Sequence, residues 1–333
     1  MLYTRADVKY ALHPSSGTAG RTVPATPPKL VLILSENWTL TPPRDLGALV
    51  RMAVEAEEAG IDAVMVSEHV VLGPGADSNG IPDNPREYAL VGNQDPATPW
   101  PSSIVLLAAI AGATTRIRLA ASAIIAPLRH PLLLAKELAT LDLLSGGRLV
   151  VQPTVSWHRP EYEALGVPWE KRGELLDEHL AAWDVLWRDT PASHEGRHYR
   201  FEDVYLEPKP FRPDGPRLWF GGGSLHARLL RRLVRYGHGF NPLGAPTDED
   251  LARLGAALAE AGRDISEIEM IGGTRAVFPD ARSPAPLGPA LESIPAQIER
   301  GFGTFCVKPS QFTDDPADVP ALCRDLVAYT RSL

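Results

Sequence analysis

The chain has 333 residues, of which 44% are hydrophobic, and a formal net charge of -8 at pH 7. This size allows one large barrel or two ordinary domains, and the acidic balance argues against nucleic acid as the main partner, because phosphate binding needs a basic face. No apolar run approaches the ~20 residues of a membrane helix. The start lacks the apolar core of a secretory signal. The two cysteines, Cys306 and Cys323, make no disulfide framework. We therefore expect a cytoplasmic globular protein with neither nucleic-acid nor membrane partners.

In chain order, residues 1–28 predict an N-terminal arm, poorly ordered or strapped over a neighbour, because they are rich in Gly, Ser, Thr and Pro. Residues 29–333 predict a single domain in which short apolar runs alternate with stretches of helical spacing. The predicted strands are 30–34, 62–66, 117–126, 149–151, 218–220, 238–241, 269–277 and 304–307. The predicted helices are 44–59, 104–113, 131–145, 170–188, a helix ending at 235, 248–262, 287–300 and 317–331, of which 287–300 is weakened by two prolines.

Eight strands that alternate with eight helices favour an α/β fold of the (β/α)8 TIM-barrel type, with inserted segments, over an open doubly wound sheet. The stretch 127–148 is the clearest unit, with Pro131 in the first helical turn and the pair Gly146–Gly147 after the last. Its leucines, among them Leu133 and Leu144, predict a broad buried face. The loop 70–103 is about 30 residues long, and such loops in compact domains are usually functional.

Polar residues at the predicted strand ends are the candidates for chemistry, because TIM barrels place their active sites at the C-terminal ends of the strands. Glu68 and His69 end the second strand, and His158 follows the fourth; each is a candidate catalytic group for proton transfer or substrate contact. A purely structural role stays open for each histidine. His130 is interpreted as support for a helix start, and no His, Cys or acidic cluster has metal-ligand spacing, so no metal is expected.

The glycine-rich run 221–224, GGGS, follows the fifth strand and opens a helix. Backbone N–H groups of such a loop can approach an anion, and a helix N-terminus favours negative charge. The alternative is a plain tight turn, with Ser224 as the cap of the helix.

Four segments in order carry a family resemblance: AVMVSEHV at 63–70, PLRHPLLLAKELATLDLLSGGR at 127–148, EYEALGVPWEKRG at 161–173 and RLWFGGGSLHARLLRRLVRYGHG at 217–239. With these segments the chain resembles the luciferase-like flavin and deazaflavin oxidoreductases, nearest to the subgroup that uses the deazaflavin coenzyme F-420, with FMN as the alternative. The resemblance implies a TIM barrel in which Gly222, Gly223 and Ser224 hold the cofactor phosphate with help from Tyr162. His69 would face the reactive side of the ring.

The family often has a bulge or a non-proline cis peptide behind the ring, and the resemblance places it here at Ser122, Ala123 and Ile124. One stretch departs from the family, since a GVGxGW-like run is replaced by QPTVSW at 152–157. The hydroxyls of Thr154 and Ser156 would then bond the pyrimidine edge of the ring.

The leading hypothesis is hydride transfer between reduced F-420 and a small organic substrate, with Trp38, Trp100 and Trp157 as apolar walls and the long loop as a cover. Core packing is the alternative role for any one of these tryptophans. One alternative is an FMN-dependent monooxygenase that uses O2 and a separate flavin reductase; another is a non-catalytic flavin-binding protein. Because the family tends to dimerise through barrel helices, a homodimer is expected, with 132–144 as the candidate face.

Overall fold

A closed barrel of eight parallel strands forms the centre of the protein, and its strand order is β1-β10-β9-β8-β7-β4-β3-β2. The computed structural model describes residues 27–333, so the arm predicted for 1–28 lies almost entirely outside the described residues. The barrel strands are β1 (Lys29–Ile33), β2 (Ala63–Val66), β3 (Arg118–Ile125), β4 (Leu149–Thr154), β7 (Arg217–Phe220), β8 (Gly239–Phe240), β9 (Glu269–Gly273) and β10 (Thr304–Val307). The predicted TIM barrel is confirmed.

Helices surround the barrel and cover its outer face. They are α1 (Leu46–Ala59), α2 (Ser103–Ala113), α3 (Pro131–Leu144), α4 (Arg159–Ala164), α5 (Arg172–Arg188), α6 (Ala227–Tyr236), α7 (Asp248–Glu260), α8 (Leu287–Leu291), α9 (Ile294–Glu299) and α10 (Val319–Arg331). The strands read as apolar runs because both of their faces are buried, one against these helices and one inside the barrel. None of the helices in 27–333 is both long and apolar enough to span a membrane.

The connection between β4 and β7 holds the main insertion. It contains α4, which the sequence did not predict, and an antiparallel hairpin of β5 (Ala192–Glu195) and β6 (Arg200–Val204). The sequence indicates β character for 199–205, which includes the second strand of this hairpin, but not for the first strand. The predicted helix 287–300 is two short helices, because the proline at 295 begins a new helix rather than continuing the old one.

The buried face of α3 is narrower than the sequence predicted. Leu138 and Leu141 are buried, but Leu133 and Leu144 are 66% and 64% exposed, so the prediction was wrong for these two leucines. The leucines recur all round the helix, and a helix on the outside of a barrel can bury only one side of its surface.

The long loop between β2 and α2 crosses the C-terminal mouth of the barrel. Asn84 donates to the carbonyl oxygens of Asp280 and Ser283 at 3.0 and 2.9 Å, and Arg86 donates from Nε to Asp314 at 2.8 Å. The ring of Tyr88 packs against the side chains inside the barrel. The loop therefore starts at β2 and is tied down on the side of β9 and β10.

Candidate active site

His69 and Glu161 form a buried pair at the barrel mouth. His69 follows β2, and its Nδ1 lies 2.6 Å from Oε1 of Glu161, a fully buried carboxylate in the first turn of α4. Glu161 also accepts the N–H of Val70 at 2.9 Å and the hydroxyl of Ser156 at 3.0 Å. The carboxylate accepts only, so Nδ1 of His69 donates to it. In the neutral ring Nε2 is then left as a proton acceptor.

Aromatic rings surround the His69 imidazole. The ring centroids of Trp100 and Trp157 lie 5.1 and 5.5 Å from it, both edge-on, and that of His158 lies 6.4 Å away. Nε2 of His69 has only a long contact, 3.5 Å, with the amide of Gln94. The structure therefore brings His69, His158, Trp157 and Trp100 together as the sequence expected, and it adds Gln94 from the long loop.

His158 has a different environment from its neighbour. Its Nε2 accepts the backbone N–H of Gly73 at 2.8 Å, and burial lowers its pKa, while the charge of Glu161 opposes that shift. The neutral ring thus helps to hold the first part of the long loop. Its catalytic role stays a prediction.

Glu68 lies where three elements meet behind the site. Its carboxylate accepts two hydrogen bonds from Arg129, at 2.7 and 3.0 Å, one from the Ser103 hydroxyl at 2.8 Å and one from the Ile125 N–H at 3.0 Å. Four donors occupy both oxygens, so the geometry favours a positioning role in which Glu68 ties the ends of β2 and β3 together. Proton transfer by Glu68 stays a prediction.

A row of polar side chains crosses the mouth from β3 to β8. The hydroxyl of Ser122 donates to Oε1 of Gln152 at 2.8 Å, and the amide of Asn241 donates to the same oxygen at 2.9 Å. The peptide bond between Ser122 and Ala123 is cis, and the pairing of β3 with β4 shifts register there. The expected cis peptide and irregular strand are therefore present. The sequence reasoning missed Gln152 and Asn241, although each lies at the end of an apolar strand.

The glycine loop 221–224 follows β7 and has two different halves. A Cβ on Gly221 would lie 1.8 Å from the carbonyl oxygen of Asn241, so packing requires glycine there. A Cβ on Gly223 would meet nothing within 4 Å, and Ser224 is exposed. The open half, with Gly222, lies between β7 and α6, and its binding of an anion stays a prediction. The cap of α6 is His226, whose Nδ1 accepts the Leu229 N–H at 3.2 Å, so the Ser224 cap of the alternative interpretation was wrong.

The other residues that were predicted to contact cofactor or substrate mostly contact the protein itself. Tyr162 is fully buried, its hydroxyl donates to the carbonyl of Val155 at 2.6 Å, and burial raises its pKa. Ser156 has a φ of 57°, and its hydroxyl serves Glu161. Thr154 ends β4 and is half-buried, as is Trp38, which packs against the outer core. The turn 155–158 is thus fixed by hydrogen bonds to Tyr162 and within the turn. The cofactor contacts of Tyr162, Ser156 and Thr154 and the substrate contact of Trp38 stay predictions.

Glu161 is the residue that the sequence reasoning overlooked most clearly. It opens the EYEALGVPWEKRG segment, in which only the tyrosine received a role. The position of an acidic residue at the start of a segment that carries the family resemblance was the signal that could have identified Glu161 as a site residue. Its partner His69 lies 92 positions away in the sequence, so the pairing depends on the fold.

Comparison with known proteins agrees with this architecture. The profile of the luciferase-like monooxygenase family matches residues 29–285. An FMNH(2)-dependent dimethylsulfone monooxygenase of Pseudomonas putida is 34% identical over 135 residues, which are 40% of this chain and 37% of that enzyme. The chain thus spans well under two thirds of that relative's length.

Solved structures share the fold at low identity. Monooxygenase RslO1 from Streptomyces bottropensis gives a TM-score of 0.64 at 20% identity, covering 90% of this chain and 99% of that one. An F420-dependent secondary alcohol dehydrogenase in complex with an F420-acetone adduct gives 0.68 at 16% identity, covering 92% and 100%. The family profile covers more than half of the chain and most of its barrel, and so the chain belongs to the luciferase-like monooxygenase family.

Proposed function

We propose that this protein is a hydride-transfer oxidoreductase that uses the deazaflavin coenzyme F-420 and a small organic substrate at the barrel mouth. One observation carries the proposal: an imidazole at the end of β2 has its Nδ1 on a buried carboxylate and its Nε2 without a strong partner. Carbonyl reduction and alcohol oxidation both need a group that moves a proton at the substrate oxygen while hydride moves at carbon.

The residues at the mouth fit such a coenzyme. Gly222, Gly223 and Ser224 would hold its phosphate, because the open half of the glycine loop admits an anion close to backbone N–H groups. Ser122 and Ala123 would lie behind its ring, where the cis peptide interrupts β3. When bound, the coenzyme supplies the hydride chemistry, and the protein supplies orientation and electrostatics.

In this proposal His69 gives or takes the proton at the substrate oxygen through Nε2. Glu161 stabilises the imidazolium that forms when His69 accepts a proton, and it fixes the ring orientation through Nδ1. Trp100, Trp157 and the long loop exclude water from the reacting atoms.

A second candidate function is an FMN-dependent monooxygenase. It is supported by the Pseudomonas putida relative, an FMNH(2)-dependent monooxygenase that is 34% identical over 135 residues. Such an enzyme would need O2 and a separate flavin reductase, because reduced FMN must be supplied to it.

Fluorescence titration of the purified protein with F-420 and with FMN, each oxidised and reduced, tests the proposal. Tight F-420 binding with weak FMN binding is the expected result. A preference for FMN would contradict the F-420 proposal and favour the FMN-dependent monooxygenase. Binding of neither cofactor would refute both functions.

Proton transfer is tested by His69→Ala, with His130→Ala as the matched control, because His130 caps α3 outside the site. Each variant is assayed for F-420 reduction with a panel of alcohols. We expect His69→Ala to bind the coenzyme normally and to turn over about 10²- to 10⁴-fold more slowly than wild type. Equal rates in the two variants would contradict the role of His69, and coenzyme binding without turnover in the wild type would favour a carrier.

A further inference from the structure

Lys308 is a buried cation at the barrel mouth that no part of the proposed mechanism uses. It follows β10 and is 1% exposed, and its Nζ donates to the carbonyl oxygen of Glu87 at 2.9 Å. Its ammonium also lies 5.8 Å from the ring centre of Tyr88. In the described part of the chain no carboxylate oxygen forms an ion pair with it within 4.0 Å. A buried charge is costly unless a counter-charge accompanies it, so Lys308 calls for a partner.

Glu36 compensates the charge of Lys308 only in part, because burial disfavours its own charged form. Glu36 follows β1, the strand between β10 and β2, and it interacts electrostatically with both Lys308 and His69. Burial raises the pKa of Glu36, which favours the neutral acid, while the charges of Lys308 and His69 oppose that shift. Burial lowers the pKa of Lys308, and the charges of Glu36 and Glu87 oppose it.

Unpartnered polar atoms concentrate around the same opening. Nine buried side-chain N or O atoms in residues 27–333 have no hydrogen-bond partner. Six of them belong to loops at the strand C-termini: Trp38, Thr39, Gln94, Trp100, Ser310 and Gln311. Buried polar groups are normally bonded, so this concentration points to a polar ligand at the mouth.

The barrel order sets the distance between Lys308 and the reacting group. The strands β10, β1 and β2 are neighbours, and Lys308, Glu36 and His69 follow them in turn. Adjacent strands are about 4.8 Å apart, which separates the ends of β10 and β2 by about 10 Å. This span suits a small molecule with an acidic group at one end and a reacting carbon at the other.

We propose that Lys308 binds the acidic group of the substrate, and that the substrate is therefore a small organic carboxylate. The role of this carboxylate as a substrate rests on the proposed function, whereas the binding of a carboxylate at Lys308 does not. In this arrangement Lys308 lies at one end of the molecule, and His69 faces the other end.

The test compares benzoate with benzamide, which have nearly the same shape but differ in charge. Binding is followed by tryptophan fluorescence, since Trp38, Trp100 and Trp157 lie at the mouth. We expect saturable benzoate binding to the wild type that is at least 10-fold tighter than benzamide binding. Equal binding of the two, or no benzoate binding, overturns the proposal without any variant.

Lys308→Met removes the charge and keeps the length, and Lys171→Met makes the same change on an exposed lysine outside the mouth. We expect benzoate binding to weaken at least 10-fold in Lys308→Met and to stay at the wild-type level in Lys171→Met. Unchanged benzoate binding in a folded Lys308→Met variant would show that Lys308 only holds the loop through Glu87, against the proposal.

Coenzyme titration of the same variants separates the two proposals. We expect Lys308→Met to bind F-420 as the wild type does. If the wild type binds no coenzyme, the proposed function fails, while the benzoate preference still decides the role of Lys308. If Lys308→Met loses coenzyme rather than benzoate, Lys308 belongs to the coenzyme site and the inference is overturned.

Discussion

The chemistry of this site depends on which nitrogen of one imidazole carries the proton. Glu161 fixes that choice because it accepts from Nδ1 of His69 and fills its other acceptor positions with Val70 and Ser156. Ser156 has a left-handed φ of 57°, a backbone conformation that favours glycine. Backbone strain at a non-glycine residue persists where the surroundings require it, and here the serine hydroxyl supports the carboxylate.

Glu161→Gln should leave the fold intact and release the His69 tautomer, because a glutamine amide can present either its oxygen or its nitrogen to Nδ1. ¹⁵N NMR of the imidazole should show one neutral tautomer in the wild type and a mixture in the variant. We expect turnover to fall by about 10²- to 10⁴-fold. The control is Glu163→Gln, on an exposed carboxylate of the same helix that pairs with Arg159. An unchanged tautomer in Glu161→Gln would contradict this role.

His238 makes stability depend on pH far from the site. Its Nδ1 accepts the N–H of Leu218 at 3.1 Å, and burial, together with the charge of Arg217, lowers its pKa to about 4 from an ordinary 6.5. Between about pH 6.5 and pH 4 the His238 ring is protonated in the unfolded chain but stays neutral in the folded chain. The stability that the neutral ring contributes is therefore complete above pH 6.5 and is lost as the pH falls toward 4.

His238→Gln should flatten that pH dependence, because a glutamine oxygen can accept the same N–H and does not titrate. Urea unfolding at several pH values between 7 and 4 measures it. We expect the wild type to lose stability more steeply than the variant, by up to about 1.4 kcal/mol per pH unit. The carboxylates that titrate in this range are common to both proteins, so parallel slopes would refute the assignment to His238.

At the level of elements, the alternation of strands and helices was predictable because the buried strands are short apolar runs with polar or glycine-rich ends. The hairpin strand Ala192–Glu195 was not, since its sequence ASHE is polar and mostly exposed and has no apolar period. The irregular β3 was predicted only through the family resemblance. The site was predictable where a residue ends a strand, as His69 does. The bond between Gln152 and Asn241 joins residues 89 positions apart, and no local pattern indicates it.

The two halves of the glycine loop should respond differently to alanine. Gly221→Ala places a Cβ against the Asn241 carbonyl oxygen at 1.8 Å, so we expect a loss of at least about 2 kcal/mol of stability. Gly223→Ala meets open space, so its melting temperature should equal that of the wild type. Its coenzyme affinity should fall about 10-fold, because the new methyl group occupies the space that a phosphate needs. Thermal melts and coenzyme titration of both variants test this. Wild-type coenzyme affinity in a stable Gly223→Ala variant would contradict phosphate binding at this half of the loop.

For the whole molecule, the outer surface formed by α2 and α3 carries large exposed apolar side chains. α2 contains no charged residue, and its Val105 is 70% exposed; Leu133 on the neighbouring α3 is 66% exposed. A helix that is apolar all round is normally covered, and the two helices pack side by side. The narrower buried face of α3 thus leaves its outer leucines for a partner, and we propose a homodimer through this surface.

Val105→Asp should convert the dimer to a monomer, because a carboxylate in an apolar interface loses its water without gaining a partner. Sedimentation should give about twice 36.1 kDa for the wild type and 36.1 kDa for the variant. Val277→Asp is the matched control, since Val277 is 71% exposed, close to the 70% of Val105, but lies in the loop after β9. We expect this control to remain a dimer. A wild type that sediments only as the 36.1 kDa species would refute the dimer, and dissociation by both variants would refute this choice of interface.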